Sequence, residues 1–405
     1  MTVADVTRTR RRWLVLAVGV FAQTAACSFV YGLPFVVPLL RDTAGLSLAQ
    51  VGAYVGAPTV GLLCTLVLWG AAADRSGERG VMTIGLAVCA VAVAGAALLP
   101  LGPGPVLLVL LGLGGAGAAS VFAASGRMVM GWFAAHERGT AMGIRQTSQP
   151  LGVAVAGLTL PTLAAAVGPF RALLLPAALC VVAAVLVATL APDPPRAPRP
   201  AGAAPERSPY RTAVLWRVHG ASALLVVSQF AVASFATEYL VREQGWHVAA
   251  AGAFVAGGQI AGAVGRIATG AWSDRAGSRL RPMRQVALAA TAVLLLFALG
   301  DAVAGWLAVT MLAVGAVVTV APNGLAFTST AELAGPSWSG RALGVQNTGQ
   351  NAVASVVPVA LGALVGATGY AAAFAIAAVA PLAAAAVTPV RDERNGARRA
   401  ERVSG

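Results

Sequence analysis

Twelve apolar runs organise this chain, at roughly residues 13–37, 47–72, 81–99, 105–131, 140–163, 170–190, 214–240, 247–272, 286–300, 303–328, 340–363 and 369–390. Nearly all are long enough to cross a bilayer as a helix, which takes roughly 20 mainly apolar residues. Hydrocarbon offers backbone N–H and C=O groups no partner, so each crossing must satisfy its own, as an α-helix does. Of the 405 residues, 58% are hydrophobic and 11% charged, against roughly half and a quarter in a soluble domain. So much apolar surface needs lipid as its solvent. The expectation is an all-α polytopic membrane protein with twelve transmembrane helices.

The runs fall into two groups of six. Between them, residues 191–211 carry seven prolines and four arginines, a composition that cannot bury a core and reads as an extended, solvated linker. The expected organisation is a bundle over residues 1–190, a cytoplasmic Pro/Arg-rich linker over 191–212, a second bundle over 213–390 and a cytoplasmic tail over 391–405. All 28 basic residues are Arg, and the formal charge is +13. Such a balance can signal nucleic acid, but these Arg sit between apolar runs, where topology accounts for them. With the N-terminus in the cytoplasm, 22 fall in cytoplasmic segments and only Arg41, Arg171 and Arg242 in outer loops; the other three lie inside spans. That bias places both termini and the linker on the cytoplasmic side, and the Ala-rich, Lys-free composition points to a GC-rich bacterial genome and so to a bacterial plasma (inner) membrane. The run after Arg12 is too long for a signal peptide and has no small-residue cleavage site, so it reads as the first span.

Several possible sites read as structural. Cys27, Cys64, Cys89 and Cys180 lie in apolar stretches without CxxC pairing, which suits small buried hydrophobes. His136, His219 and His247 are dispersed, with no metal-ligand spacing. Gly112, Gly114 and Gly117 fit GxGxxG but sit mid-span with no strand before them, which suits helix packing. Gly52 with Gly56, Gly258 with Gly262, and Gly362 with Gly366 read likewise. A membrane enzyme would need clustered His, Asp or Ser–His groups at one interface, and none is visible. No enzyme, cofactor or metal is expected, and without a Walker motif ATP is not the direct energy source within this chain.

The two halves repeat at a nearly constant offset. At +200, Gly52-Ala53-Tyr54-Val55 aligns with Gly252-Ala253-Phe254-Val255, and residues 70–79 with 270–279. At +201, Ala141, Gly143 and Thr147 align with Ala342, Gly344 and Thr348; at +206, Gln23, Ser28 and Phe29 align with Gln229, Ser234 and Phe235. A duplicated unit of even span count implies two bundles related by an axis along the membrane normal, with a site between them.

Gly70-xxx-Asp74-Arg75-x-Gly77-x-Arg79 follows the second run, and Gly270-xxx-Asp274-Arg275-x-Gly277-x-Arg279 follows the eighth. This loop, at both places, closely resembles the signature of the major facilitator superfamily, and the resemblance covers nearly the whole chain. Glu78 and Ser278 stand where that pattern has a basic residue. The resemblance implies two pseudo-symmetric six-helix bundles and secondary transport by alternating access, with these loops as gates; Arg127 is the expected gate partner of the first. Without the family, Gly70 and Gly270 allow close helix approach, while Gly77 and Gly277 allow φ > 0. Asp74 and Asp274 can meet a helix N-terminus or an Arg. A static turn brace is the competing reading. Residues 131–143 resemble the turn between spans four and five in organic-anion branches, anion:cation symporters among them. Gly265-Arg266-xxx-Gly270-xx-Ser273-Asp274 is similar to the eighth span of oxalate- and formate-type antiporters, where an Arg helps bind carboxylate.

Ionisable groups inside spans are costly and face a cavity or a partner. Arg127, Arg145 and Arg266 lie roughly 6–10 Å inside the cytoplasmic ends of their helices. Arg266 is the candidate anion ligand, since a guanidinium grips carboxylate with paired bonds; snorkelling or bracing Asp274 is the alternative. Arg145 is a ligand or a gate residue. The fifth and eleventh spans share a polar stripe, Arg145, Gln146 and Gln149 against Gln346, Asn347 and Gln350, with Asn351 extending the second. Gln149, Gln346, Asn347, Gln350, Gln23, Gln229 and Asn323 line a wet cavity or bond helix to helix. No Asp or Glu lies near mid-membrane, which disfavours proton-coupled drug export and favours an anion. The expectation is a monomeric antiporter or symporter of a small organic anion such as a carboxylate. Its partners would be that solute, membrane lipid and a coupling proton or counter-anion, with no nucleic acid. The alternative is multidrug or metabolite efflux by proton antiport; a receptor on the same fold would bind without net flux.

Overall fold

The computed structural model describes residues 3–36, 39, 48–99, 104–194 and 208–392. Most of the expected linker (195–207) and tail (393–405) lies outside these. No strand occurs among the described residues, and helices follow the apolar runs closely. The first four spans are Val3–Val30, Leu48–Ser76, Glu78–Leu98 and Pro105–Trp132. The fifth is Arg138–Arg145 followed by Ser148–Val167, and the sixth is Leu174–Leu190. The seventh, eighth and ninth are Ala213–Arg242, Val248–Ala276 and Leu280–Val303. The tenth is Gly305–Val318 followed by Pro322–Ala334. The eleventh and twelfth run together as Ser339–Ala377, kinked at Gly369 with φ +80, and Val379–Val387 completes the set.

Among the described residues, ten segments are long and apolar enough to cross a membrane, the last of them Ser339–Asp392 with 54 residues. That segment is two crossings joined at Gly369, and Val248–Ala276, 29 residues long, brings the total to the twelve expected. Both broken spans break ahead of a proline. The tenth restarts with Pro322 as its first residue, where a missing N–H costs nothing. The fifth breaks four residues ahead of Pro150.

Two compact units result. One comprises Met1–Phe133, Thr147–Pro205 and Gly335–Thr348; the other comprises Ala134–Gln146, Glu206–Ala334 and Gly349–Gly405. Each sequence half thus takes in a short strip from the other, the start of the eleventh span in the first unit and the start of the fifth in the second. Phe29, Leu62, Leu66, Met82, Leu86 and Met128 fill the first core. The second is built on Tyr370, Tyr239, Phe297 and Phe374, whose rings meet in that order, edge-to-face at the first two contacts and tilted at the third, with centroids 4.2–5.0 Å apart between neighbours. Leu68, Val91, Leu158 and Ile260 are each at least two-thirds exposed, an outer surface suited to lipid.

Glycine sets how closely helices approach. A Cβ on Gly61 would stand 1.8 Å from the Gly112 carbonyl oxygen, and one on Gly115 1.9 Å from that of Pro58. The stretch that fits GxGxxG is therefore a helix-packing segment: Gly112 faces Ala57 of the second span, Gly114 packs against Phe29 of the first and Val93 of the third, and Gly117 against Gly85 and Cys89 of the third. Gly258 and Gly262 pack on Ala316, whereas Gly52 and Gly56 face open space, so spacing alone overstated that pair. Cys27, Cys89 and Cys180 are buried, but Cys64 is exposed on the second span.

Candidate transport site and its loop clamps

Each unit holds one signature loop. In the first, the Asp74 carboxylate is fully buried at the end of the second span. It accepts from the N–H of Gly340 at 2.8 Å and of Arg341 at 3.1 Å, in the first turn of the eleventh span. First-turn amides have no partner within their own helix, and the helix dipole favours an anion there. Arg341 Nε lies 3.2 Å and Arg127 Nη1 3.4 Å from the same carboxylate. Arg127 also reaches the buried Glu78 at 3.1 Å and donates to the Ala73 carbonyl. Glu78, the departure from the family pattern, is thus neutralised inside the first unit. Gly77, at φ +100, turns the chain into the third span. Asp193 accepts from the N–H of Glu78 at 2.7 Å and of Arg79 at 2.9 Å, and Arg79 donates to the Ala188 carbonyl.

The second unit repeats the plan with different parts. Asp274 accepts from the N–H of Gly139 at 2.9 Å and from the N–H and hydroxyl of Thr140 at 2.8 and 2.7 Å, the start of the fifth span. Arg279 lies 2.6 Å from Asp274, donates to Ser273 Oγ at 2.8 Å and to the Ala135 carbonyl, and approaches Glu332 at 3.4 Å. Burial pulls the Arg279 guanidinium down, but Glu332 and Asp274 more than offset this and hold it above its ordinary range. Gly277 turns at φ +57. Arg75 and Arg275 are exposed.

Behind each clamp the backbones touch. A Cβ on Gly70 would stand 2.2 Å from the Gly340 oxygen, and one on Gly340 2.4 Å from that of Gly70; for Gly270 and Gly139 the distances are 2.2 and 2.5 Å. One turn further, Gly344 meets the Leu66 carbonyl and Gly143 that of Arg266, at 2.7 and 2.6 Å.

The polar candidates form separate groups. In the second unit, Arg145 is 1% and Arg266 4% exposed, and both guanidiniums converge on Gln146. Arg266 Nη1 donates to the Gln146 main-chain carbonyl, Arg145 Nη1 to its side-chain oxygen at 2.7 Å, and Arg145 lies 5.5 Å from the centre of the Phe327 ring. A second group in that unit is a relay of amides: Gln350 Nε2 donates to Ser222 Oγ at 2.7 Å and to Asn323 Oδ1 at 3.4 Å, and Asn323 Nδ2 to Gln229 Oε1 at 2.9 Å. Gln229 lines a cavity of about 30 Å³ with Gln259, Thr319 and Phe254, about twice the space one water needs. In the first unit, Gln23 accepts from Ser125 at 3.1 Å, Asn347 donates to the carbonyls of Leu343 and Phe122, and Gln346 is buried. Gln149 is half-buried.

Sequence reasoning passed over Asp193, Ser222, Gln259 and Arg341 as site residues. Gln259, a mid-span amide, carried a signal equal to that of Gln229. For Asp193 the signal was its place at the end of the sixth span, where a carboxylate can cap a neighbouring helix. The other two depend on which helix packs against which.

Duplicated six-span halves, each with a clamped loop and buried polar groups inside its helices, define a membrane transporter built of two bundles. The family model of the Major Facilitator Superfamily matches residues 16–358, and the chain belongs to that superfamily. It is 42% identical over 393 residues, 96% of this chain and 87% of the relative, to "Uncharacterized MFS-type transporter Rv2994" of Mycobacterium tuberculosis. It is 28% identical over 187 residues, 45% of this chain and 43% of the relative, to "Probable anion transporter 5" of Arabidopsis thaliana. The Major Facilitator Superfamily transporter FucP in its outward conformation superposes with a TM-score of 0.73 at 17% identity, covering 93% of this chain and 97% of that one. Secondary transport of a small solute by alternating access follows from the family.

Proposed function

We propose that the solute is an organic anion such as a carboxylate, held by Arg266 and Arg145 and carried across a bacterial plasma membrane with both termini on the cytoplasmic side. One observation carries this reading: two buried guanidiniums converge on the single residue Gln146. Burying one charge is expensive, and burying two like charges side by side is worse unless an anion joins them. The partial similarity to a plant protein named as an anion transporter points the same way. The amide relay ending at Gln229 suits the remainder of the solute. Its side-chain oxygen is taken by Asn323, which leaves its NH₂ group to donate into the cavity. The test is flux in proteoliposomes across carboxylates and lipophilic cations, with and without a pH gradient. Carboxylate uptake is the expected result; flux of lipophilic cations alone, driven by the pH gradient, would replace the anion reading with proton-coupled efflux.

In the same proposal the two clamps are gates. Asp74→Asn keeps the shape but removes the charge that holds the Gly340 and Arg341 amides. The expected outcome is turnover slowed roughly tenfold, the worth of a bond to a charged group, with substrate affinity changed far less. Equal losses in binding and turnover would make the clamp a static brace.

A further inference from the structure

The two halves of the chain serve as controls for each other, and they differ around the break in the fifth span. Arg266 stands where the second span has Leu66, Arg145 and Gln146 where the eleventh has Gln346 and Asn347, and Pro150 where the eleventh has Asn351. The eleventh span is unbroken through these positions, whereas the fifth breaks between Arg145 and Ser148. In an α-helix the carbonyl of residue i takes the N–H of residue i+4. For Gln146 that residue is Pro150, which has no N–H. The ladder resumes one residue later, with the Leu151 N–H donating to the Thr147 carbonyl at 3.1 Å. The carbonyl that proline leaves over is the one that accepts from Arg266, and the side chain of the same residue accepts from Arg145.

We propose that Pro150 makes Gln146 an anion-displaceable latch: its two oxygens hold the Arg266 and Arg145 donors that a substrate carboxylate takes over, and the exchange frees the fifth-span break from the eighth span. This rests on the anion reading above. A carboxylate outcompetes the two neutral oxygens because charge-assisted hydrogen bonds are roughly twice as strong as neutral ones. The displaced Gln146 carbonyl has no donor in its own helix to return to, so the exchange is close to balanced and reversible, as a carrier requires. A neutral solute does not drive it. The repeat-related positions, Leu66 on the second span and Asn351 on the eleventh, have no such arrangement, which makes the device one-sided.

Pro150→Ala supplies the missing N–H and lets Gln146 do without Arg266. Purified full-length protein is assayed with oxalate, succinate and benzoate. The expected result is binding about tenfold tighter, since displacement of one bond to a charged group is no longer needed, with uptake at saturating substrate slowed severalfold. A purely structural proline gives no such opposed shift; unchanged affinity, or affinity and rate falling together, overturns the latch. Thr147→Cys in a Cys64→Ser background adds a readout without ligand: maleimide labelling speeds up severalfold when Pro150→Ala is introduced, and an unchanged rate counts against the latch. If wild type binds none of the three carboxylates, the anion reading fails, and accelerated labelling would then leave the Gln146–Arg266 contact as a latch with a different trigger. If wild type binds them through Arg266 and Pro150→Ala changes nothing, only the latch fails.

Discussion

On the anion proposal, Arg266→Gln is expected to abolish carboxylate uptake, with a loss of at least about thirtyfold, while the protein still purifies as a monodisperse species. The magnitude comes from what the substitution leaves behind. Removing one partner of a buried, hydrogen-bonded charge pair costs about 2–5 kcal/mol, and a factor of ten is about 1.4 kcal/mol. The fold tolerates the change because Gln can still donate to the Gln146 carbonyl, the contact Arg266 makes now. Arg266→Lys separates charge from shape: a point charge cannot make paired bonds, so it restores only part of the uptake. Normal carboxylate transport by Arg266→Gln in liposomes removes this residue from the site.

Gly70→Val and Gly270→Val each cut uptake by at least about tenfold and lower the melting temperature. At both positions even a Cβ would stand 2.2 Å from a carbonyl oxygen of the facing backbone, and backbone cannot swing aside as a side chain does. The spans must separate by roughly an ångström, and overpacking of this kind costs about 1–3 kcal/mol. Separation also draws Asp74 away from the Gly340 amide, and Asp274 away from that of Gly139, so packing and clamp fail together. Gly52→Val is the matched control, since that glycine faces open space; it leaves uptake unchanged and does not lower the melting temperature. Wild-type rates in both valine variants would show that the close approach is not required.

The crossings, the duplication and the loops were readable because each rests on local chemistry: apolar length, matched residues at a fixed offset, and a turn that needs glycine. What was not readable depends on which helix meets which. Helical spacing puts Gln346, Asn347 and Gln350 on one face, yet the chain passes between units at Thr348, and Gln350 bonds to Ser222 and Asn323 in the second unit. The destination of Asp74, the first turn of a helix 266 residues further along, is likewise invisible to periodicity. The break in the fifth span left a local trace that was available, the missing N–H of Pro150. The apolar pattern on either side of it masked the interruption, so the run read as one helix. Glu78 was noticed as a departure from the family loop, but its partner Arg127 lies on another span.

The strip borrowed by the first unit bears on how the protein is made. Arg341, which completes the surroundings of Asp74, follows it by 267 residues. At about 5–20 residues per second, a ribosome needs roughly 15–50 s to cover that distance. For that interval the early spans sit in the membrane with an acidic group and its Arg127 neighbour assembled, but without the last-made amides that finish their pocket. The pocket is complete only once Gly340 and Arg341 have been made, so a variant that slows elongation between residues 74 and 341 is expected to accumulate to a lower level in the membrane.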